Sequence, residues 1–189
     1  MAEIKKEILE DNEKQLALFR ASKISIILDD YNDLFSDFDP RSYAIRAISH
    51  DFLQEARSAA KDKALGQIEL DFLVPLRLRS FKDEATIKKR LRDYFKKHHD
   101  SVHQEVKTIR KRGAIMAFVG ALLGVFATFA NVLLINDFFR SALIILLEPA
   151  SWFLIWTGFD HIFFVTSPKK QELSFYEKMM HAPINFTGY

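Results

Sequence analysis

The chain contains no cysteine. That absence removes disulfide frameworks, thiolate metal sites, thiol nucleophiles and thiol redox switches together. With 5 prolines and 6 glycines in 189 residues, collagen-like and low-complexity classes are excluded as well. A net charge of +2 leaves no overall excess of one sign. The most informative scarcity is local. From Gly113 to Ser167 only Asp137, Arg140, Glu148 and Asp160 are charged, whereas residues 1–112 carry 23 Lys/Arg and 20 Asp/Glu. The mean hydropathy of −0.05 conceals this segregation. A single water-soluble globule does not divide its charge in this way. A soluble part joined to a membrane part does.

Gly113 to Asn136, GAIMAFVGALLGVFATFANVLLIN, is free of charge. At about 1.5 Å per residue it covers a hydrocarbon core of roughly 30 Å with room for tilt. Ser141 to Phe159 is a second apolar run, interrupted by Glu148 and Pro149, and IFFV extends it after Asp160 and His161. Only Asp137 to Arg140 separate the two, so a tight antiparallel hairpin is expected. The alternative is a helical hairpin buried in a soluble core. The first 20 residues are highly charged and lack an apolar centre, which argues against a secretory signal.

Basic residues near span ends set orientation. Lys107, Arg110, Lys111 and Arg112 precede the first span, Lys169 and Lys170 follow the second, and the connecting loop offers Arg140 alone. Both termini are therefore expected in the cytoplasm, with the chain a multi-pass protein of the cytoplasmic (inner) membrane. The same six cations are candidate contacts to lipid headgroups.

Outside the spans the pattern is α+β. Ile24 to Leu28 reads as a strand, and Asp39-Pro40 is expected to open a helix whose stripe is Ile45, Ile48, Phe52, Ala56 and Ala59, stopped by Gly66. Gln67 to Pro75 alternates as a second strand. A helix from Lys82 or Asp83, carrying Ile87, Leu91, Tyr94 or Phe95, His98, Val102 and Ile109, should run unbroken into the first span for more than about 50 residues, there being no Gly or Pro to stop it before Gly113. Pro168 to His181 reads as an amphipathic helix, and Ile184, Phe186 and Tyr189 alternate as a terminal strand completing the sheet. The expected divisions are a charged N-terminal helix (1–22), a cytoplasmic α+β domain (23–112), a two-span hairpin (113–165) and a returning helix and strand (166–189).

Two stretches, SDFDPRSYAIRAISHDFLQEA (Ser36 to Ala56) and FFVTSPKKQELSFYEKMMHAPINF (Phe163 to Phe186), resemble a family of prokaryotic two-span membrane proteins without an assigned activity. In that family an Asp-Pro-Arg turn precedes a helix, and a basic segment after the membrane leads to a short terminal strand. The resemblance implies topology and no site.

Five acidic residues, Asp29, Asp30, Asp33, Asp37 and Asp39, raise the question of a hard-cation site. Their spacing lacks the central Gly and terminal Glu of a calcium loop, so caps and ion pairs with Arg41 and Arg46 are expected, with Asp37 or Asp39 capping the next helix. His98, His99 and His103 sit on one helix, where His99 and His103 could share a face for zinc, but no obvious third ligand beyond Asp100 completes the set. No metal and no cofactor are expected. Arg77 to Arg112 carries a local excess of basic residues, and its place beside the membrane favours lipid over nucleic acid. No phosphate loop, GxGxxG, nucleophile elbow or HExxH is present, and no enzymatic role is expected.

Within the first span Gly113, Ala117, Gly120, Gly124, Thr128 and Asn131 step by three or four and include a GxxxG motif. Such a stripe allows close helix approach, within the hairpin or between subunits. Glu148 lies at the depth of Thr128, where an ionisable group costs at least about 2.5–3.5 kcal/mol in lipid. It is expected to bond to Thr128 or Asn131 as packing, or to line a cavity in an oligomer. Two spans enclose no pore alone. The chain therefore reads as a homo-oligomeric scaffold or small channel-like assembly with a cytoplasmic interaction domain, and alternatively as a membrane-anchored adaptor for a soluble protein partner.

Overall fold

The computed structural model describes residues 23–62, 68–133 and 136–189. The expected N-terminal helix (1–22) and the Gly66 stop lie outside them. The chain forms two compact units: the described residues up to His99 with Phe175–Tyr189, and Asp100–Ser174.

The first unit is built on three parallel strands, β1 (Lys23–Ile27), β2 (Glu69–Val74) and β3 (Ile184–Gly188), in the order β1-β2-β3. Ile24 pairs with Leu70, and Leu70 with Ile184. Period-two alternation sends Ile24, Leu70, Phe72, Val74, Ile184 and Phe186 into the core, each less than a tenth exposed. A C-terminal strand therefore does complete the sheet, but it ends at Gly188, and the expected member Tyr189 lies beyond it and is exposed. Parallel neighbours need crossover connections. Helix α1 (His50–Asp62) lies in the first. The second contains everything from α2 (Phe81–Leu133) through α3 (Asp137–Asp160), a π turn (His161–Val165) and α4 (Thr166–His181). On the opposite sheet face the buried Asp71 is held by Lys23 at 2.9 Å and by the Thr187 hydroxyl at 2.6 Å.

The helix expected from Asp39-Pro40 starts instead at His50. Residues 36–49 close on themselves: Ile48 bridges Phe35, the Ser36 amide donates to the Ala47 carbonyl at 2.9 Å, and the Ser49 amide donates to the Leu34 carbonyl at 3.0 Å. Asp39 caps no helix. Its carboxylate takes two hydrogen bonds from the Arg41 guanidinium (2.8 and 2.7 Å) and one from the Ala47 amide (2.7 Å). Asp30 is the cap, forming a capping box with Asp33 on a short 3₁₀ turn, Tyr31–Leu34. Consequently Ile45 is exposed, and α1 buries Phe52, Ala56 and Ala60 rather than Ala59. Phe52 meets Phe72 of β2 at 5.7 Å between ring centroids.

Helix α2 is continuous over 53 residues. Asp83 and Glu84 occupy its first turn, where acidic side chains complement the helix dipole. Ile87, Leu91, Phe95, Val102 and Val106 are buried along one stripe.

Candidate functional site

Two helices are long and apolar enough to cross a membrane, Phe81–Leu133 and the continuous stretch Asp137–His181. A core helix of a soluble protein would be mostly buried. Here only 22% and 11% of the residues in the most apolar windows are buried. The outward side chains are large and apolar, among them Phe118, Phe126, Phe129, Leu146, Trp152 and Trp156.

The seam between the two helices is made of small residues. A Cβ placed on Gly113 would stand 2.7 Å from the Gly158 carbonyl oxygen, and one on Gly120 2.8 Å from the Ser151 carbonyl oxygen. Gly124 faces the Ser151 hydroxyl, and Ala117 lies directly against Gly158. The Ser151 hydroxyl donates to the Gly120 carbonyl at 2.8 Å. Gly113, Ala117, Gly120 and Gly124 are therefore brought together on the hairpin's own internal seam. Thr128 and Asn131 are not. Both are exposed, and the seam continues through the buried Ala127 and Ala130. Gly113, Gly120 and Ala127 are spaced by seven, as are Ser151 and Gly158. A seven-residue repeat keeps one side facing its partner, and the expected stripe left it at Thr128, one residue past the buried Ala127. Ser151 and Gly158 were missed, and their shared spacing and small size were the available signal.

Glu148 is exposed rather than turned into the hairpin. Thr128 does not bond to it, and donates back to the Gly124 carbonyl at 3.0 Å. Glu148 shares the outward side of α3 with Ile145 and Trp152, both exposed. Pro149 follows within the same helix and has no amide hydrogen for the Ile145 carbonyl.

Of the expected headgroup contacts, Lys107, Arg110, Lys111, Arg112 and Lys170 are exposed. Lys169 is ion-paired with Glu105 at 2.8 Å and Glu172 at 3.5 Å. These bonds, Glu105 first, hold its ammonium above the usual lysine range. Beside them an open groove of about 470 Å³ runs along α2, lined by Ser101, Gln104, Glu105, Thr108, Ile109 and Arg112.

The first unit carries two polar knots. The buried Glu84 accepts from Arg79 (2.9 and 3.0 Å) and from the Tyr31 hydroxyl (3.0 Å), and Tyr31 accepts from the Ser80 amide at 3.0 Å. Burial pushes the Glu84 carboxyl up, but the Arg79 and Tyr31 hydrogen bonds outweigh it and the net shift is downward. At the other knot, His98 lies against the rings of Tyr94 and Tyr176, and the Arg57 guanidinium stands over Phe175. Burial, with the adjacent Tyr176, pushes the Tyr94 phenol up to about 12. His98 is thus part of a packed aromatic cluster. Among the described residues no group of three His, Asp or Glu side chains could hold a metal ion.

Compared with family models, curated proteins and solved structures, the chain matches none.

Proposed function

We propose that this chain is a two-span protein of the cytoplasmic membrane that self-associates through the Glu148 face of α3 and presents its α+β unit in the cytoplasm as an interaction module. Exposed Glu148 is the observation that carries the reading. A carboxyl group near the middle of an apolar helix is costly in lipid unless protein or water meets it. Within the chain neither Thr128 nor Asn131 does so, and the small-residue seam is already occupied by the hairpin itself. A second copy supplies what is missing. Across a two-fold axis, the Glu148 face of each copy would cover that of the other and shield both side chains from lipid. Such an assembly is a scaffold, and with further copies a small channel.

The mass of the detergent-solubilised or nanodisc-embedded protein tests this. The proposal expects a multiple of 22.0 kDa, retained in Glu148→Gln. A monomeric wild type would overturn it.

A monomeric adaptor is the second reading, favoured by apolar side chains displayed on the first unit. Phe38 is 99% exposed on the loop locked by Asp39 and Arg41, and Phe81 is 82% exposed. Both are suited to docking a soluble protein.

A further inference from the structure

We infer that the groove on α2 between Ser101 and Arg112 is a headgroup site for an aminophospholipid, one whose phosphate is followed by a primary ammonium. The inference rests on the membrane-spanning reading and adds a ligand chemistry to it. Arg112 immediately precedes the uncharged run that begins at Gly113, and among the described residues it has no carboxylate partner. A guanidinium at that level matches the phosphate layer, which it can bind through two parallel N–H donors. Glu105 lies seven residues earlier, about 10 Å farther from the apolar run along the helix. Lys169 bonds its Oε2. Oε1 accepts no hydrogen bond from any described residue, and the side chain is half exposed at 49%.

Cation nearer the bilayer and anion farther out is the order that a zwitterionic headgroup complements, because its ammonium lies outside its phosphate. An anionic headgroup such as phosphatidylglycerol would find its phosphate satisfied by Arg112 but would offer Glu105 only neutral hydroxyls, without the charge of an ammonium. A quaternary ammonium would meet Glu105 without an N–H to donate. Ser101, Gln104 and Thr108 add neutral polar groups between the two charges, and Ile109 an apolar wall. The Thr108 hydroxyl proton is used on the Gln104 carbonyl at 2.8 Å, so its oxygen faces the groove as an acceptor, again suited to an ammonium.

The test uses the full chain, delipidated in detergent and offered phosphatidylethanolamine, phosphatidylcholine or phosphatidylglycerol, with bound lipid read by native mass spectrometry. Phosphatidylethanolamine should be retained about five-fold over the other two, the factor that corresponds to roughly 1 kcal/mol for one close charge contact. Glu105→Gln should reduce it to the phosphatidylcholine level. Lys169→Met breaks the Glu105 ion pair while leaving the carboxylate, and should preserve the preference. Arg112→Gln should weaken all three lipids, and Lys111→Gln should leave the ranking unchanged. Phosphatidylglycerol bound as well as phosphatidylethanolamine, or an unchanged preference in Glu105→Gln, would overturn the inference. Alkaline carbonate extraction of native membranes runs beside it. A protein stripped by carbonate would refute the membrane reading itself, whereas one that resists stripping but shows no lipid preference would refute the headgroup site alone.

Discussion

Replacing Gly158 by alanine should open the hairpin. The added Cβ would stand 2.6 Å from the Ala117 nitrogen and the Gly113 oxygen, and 2.8 Å from the Ala117 Cβ. Ordinary contact begins near 3.4 Å. Two of the three neighbours are backbone atoms and cannot rotate aside, so the helices must separate by roughly 1 Å. A gap of that size forfeits up to about half the attraction of each atom pair, itself about 0.1–0.2 kcal/mol. Over roughly twenty pairs along the seam the loss is about 1–2 kcal/mol. The hydrogen bond from Ser151 to the Gly120 carbonyl, 2.8 Å long, is stretched out of range at the same time. Bonds of this kind between membrane helices contribute about 0.6–1.7 kcal/mol. Together these give roughly 2–4 kcal/mol, readable as reduced resistance to unfolding by SDS in mixed micelles. Leu122→Ala, on an exposed side chain, is the control and should cost little. A Gly158→Ala protein within about 0.5 kcal/mol of wild type would refute the close seam.

Deleting Ile184 to Tyr189 removes the buried Ile184 and Phe186 and the whole partner of β2 on one side. At about 1.5–3 kcal/mol per buried side chain, the first unit should become sensitive to limited proteolysis, and unaltered resistance would contradict the pairing. Acid should weaken the same unit. Asp39 is held well below the usual carboxylate range by the Arg41 guanidinium first and the Ala47 amide next. A depressed native value gives stability that is present above the unfolded value of about 3.9 and lost as pH falls below it. Asp39→Asn should therefore show a shallower acid limb in unfolding titrations, and an identical limb would remove the loop lock from the explanation. For Glu148, liposome flux separates scaffold from channel. Glu148→Gln should alter flux while leaving oligomer mass intact if the face conducts, and equal flux in both proteins would restrict Glu148 to packing.

The helices and strands were legible wherever one face is apolar over several turns. The Ile87 to Val102 stripe gave α2 and its unbroken passage into the first apolar run, and the alternation of Ile68 to Val74 and of Ile184 with Phe186 gave two strands. The Asp39 loop was misread because Asp-Pro is a common helix opener, and the bonds that override it join residues eight to fourteen apart, Asp39 to Ala47 and Arg46 to Asn32. Local pattern carries no information on such pairings. Parallel pairing was not legible either, since strand alternation is the same in both directions. In the hairpin, glycine spacing marked the seam but not its drift. Glu148 was assigned a partner by equal depth along the two spans, and depth says nothing of rotation about the helix axis. The outward Glu148 is the clearest case of a residue whose orientation the sequence pattern did not carry.

The absence of cysteine makes single-thiol mapping the most direct test of the two-span arrangement. Ser101→Cys, Asn136→Cys and Ser174→Cys are treated in intact cells with a membrane-impermeant thiol reagent. Labelling at position 136 alone, with 101 and 174 reached only after the membrane is opened, is the predicted result. Labelling of 101 or 174 in intact cells, with 136 protected, would contradict it.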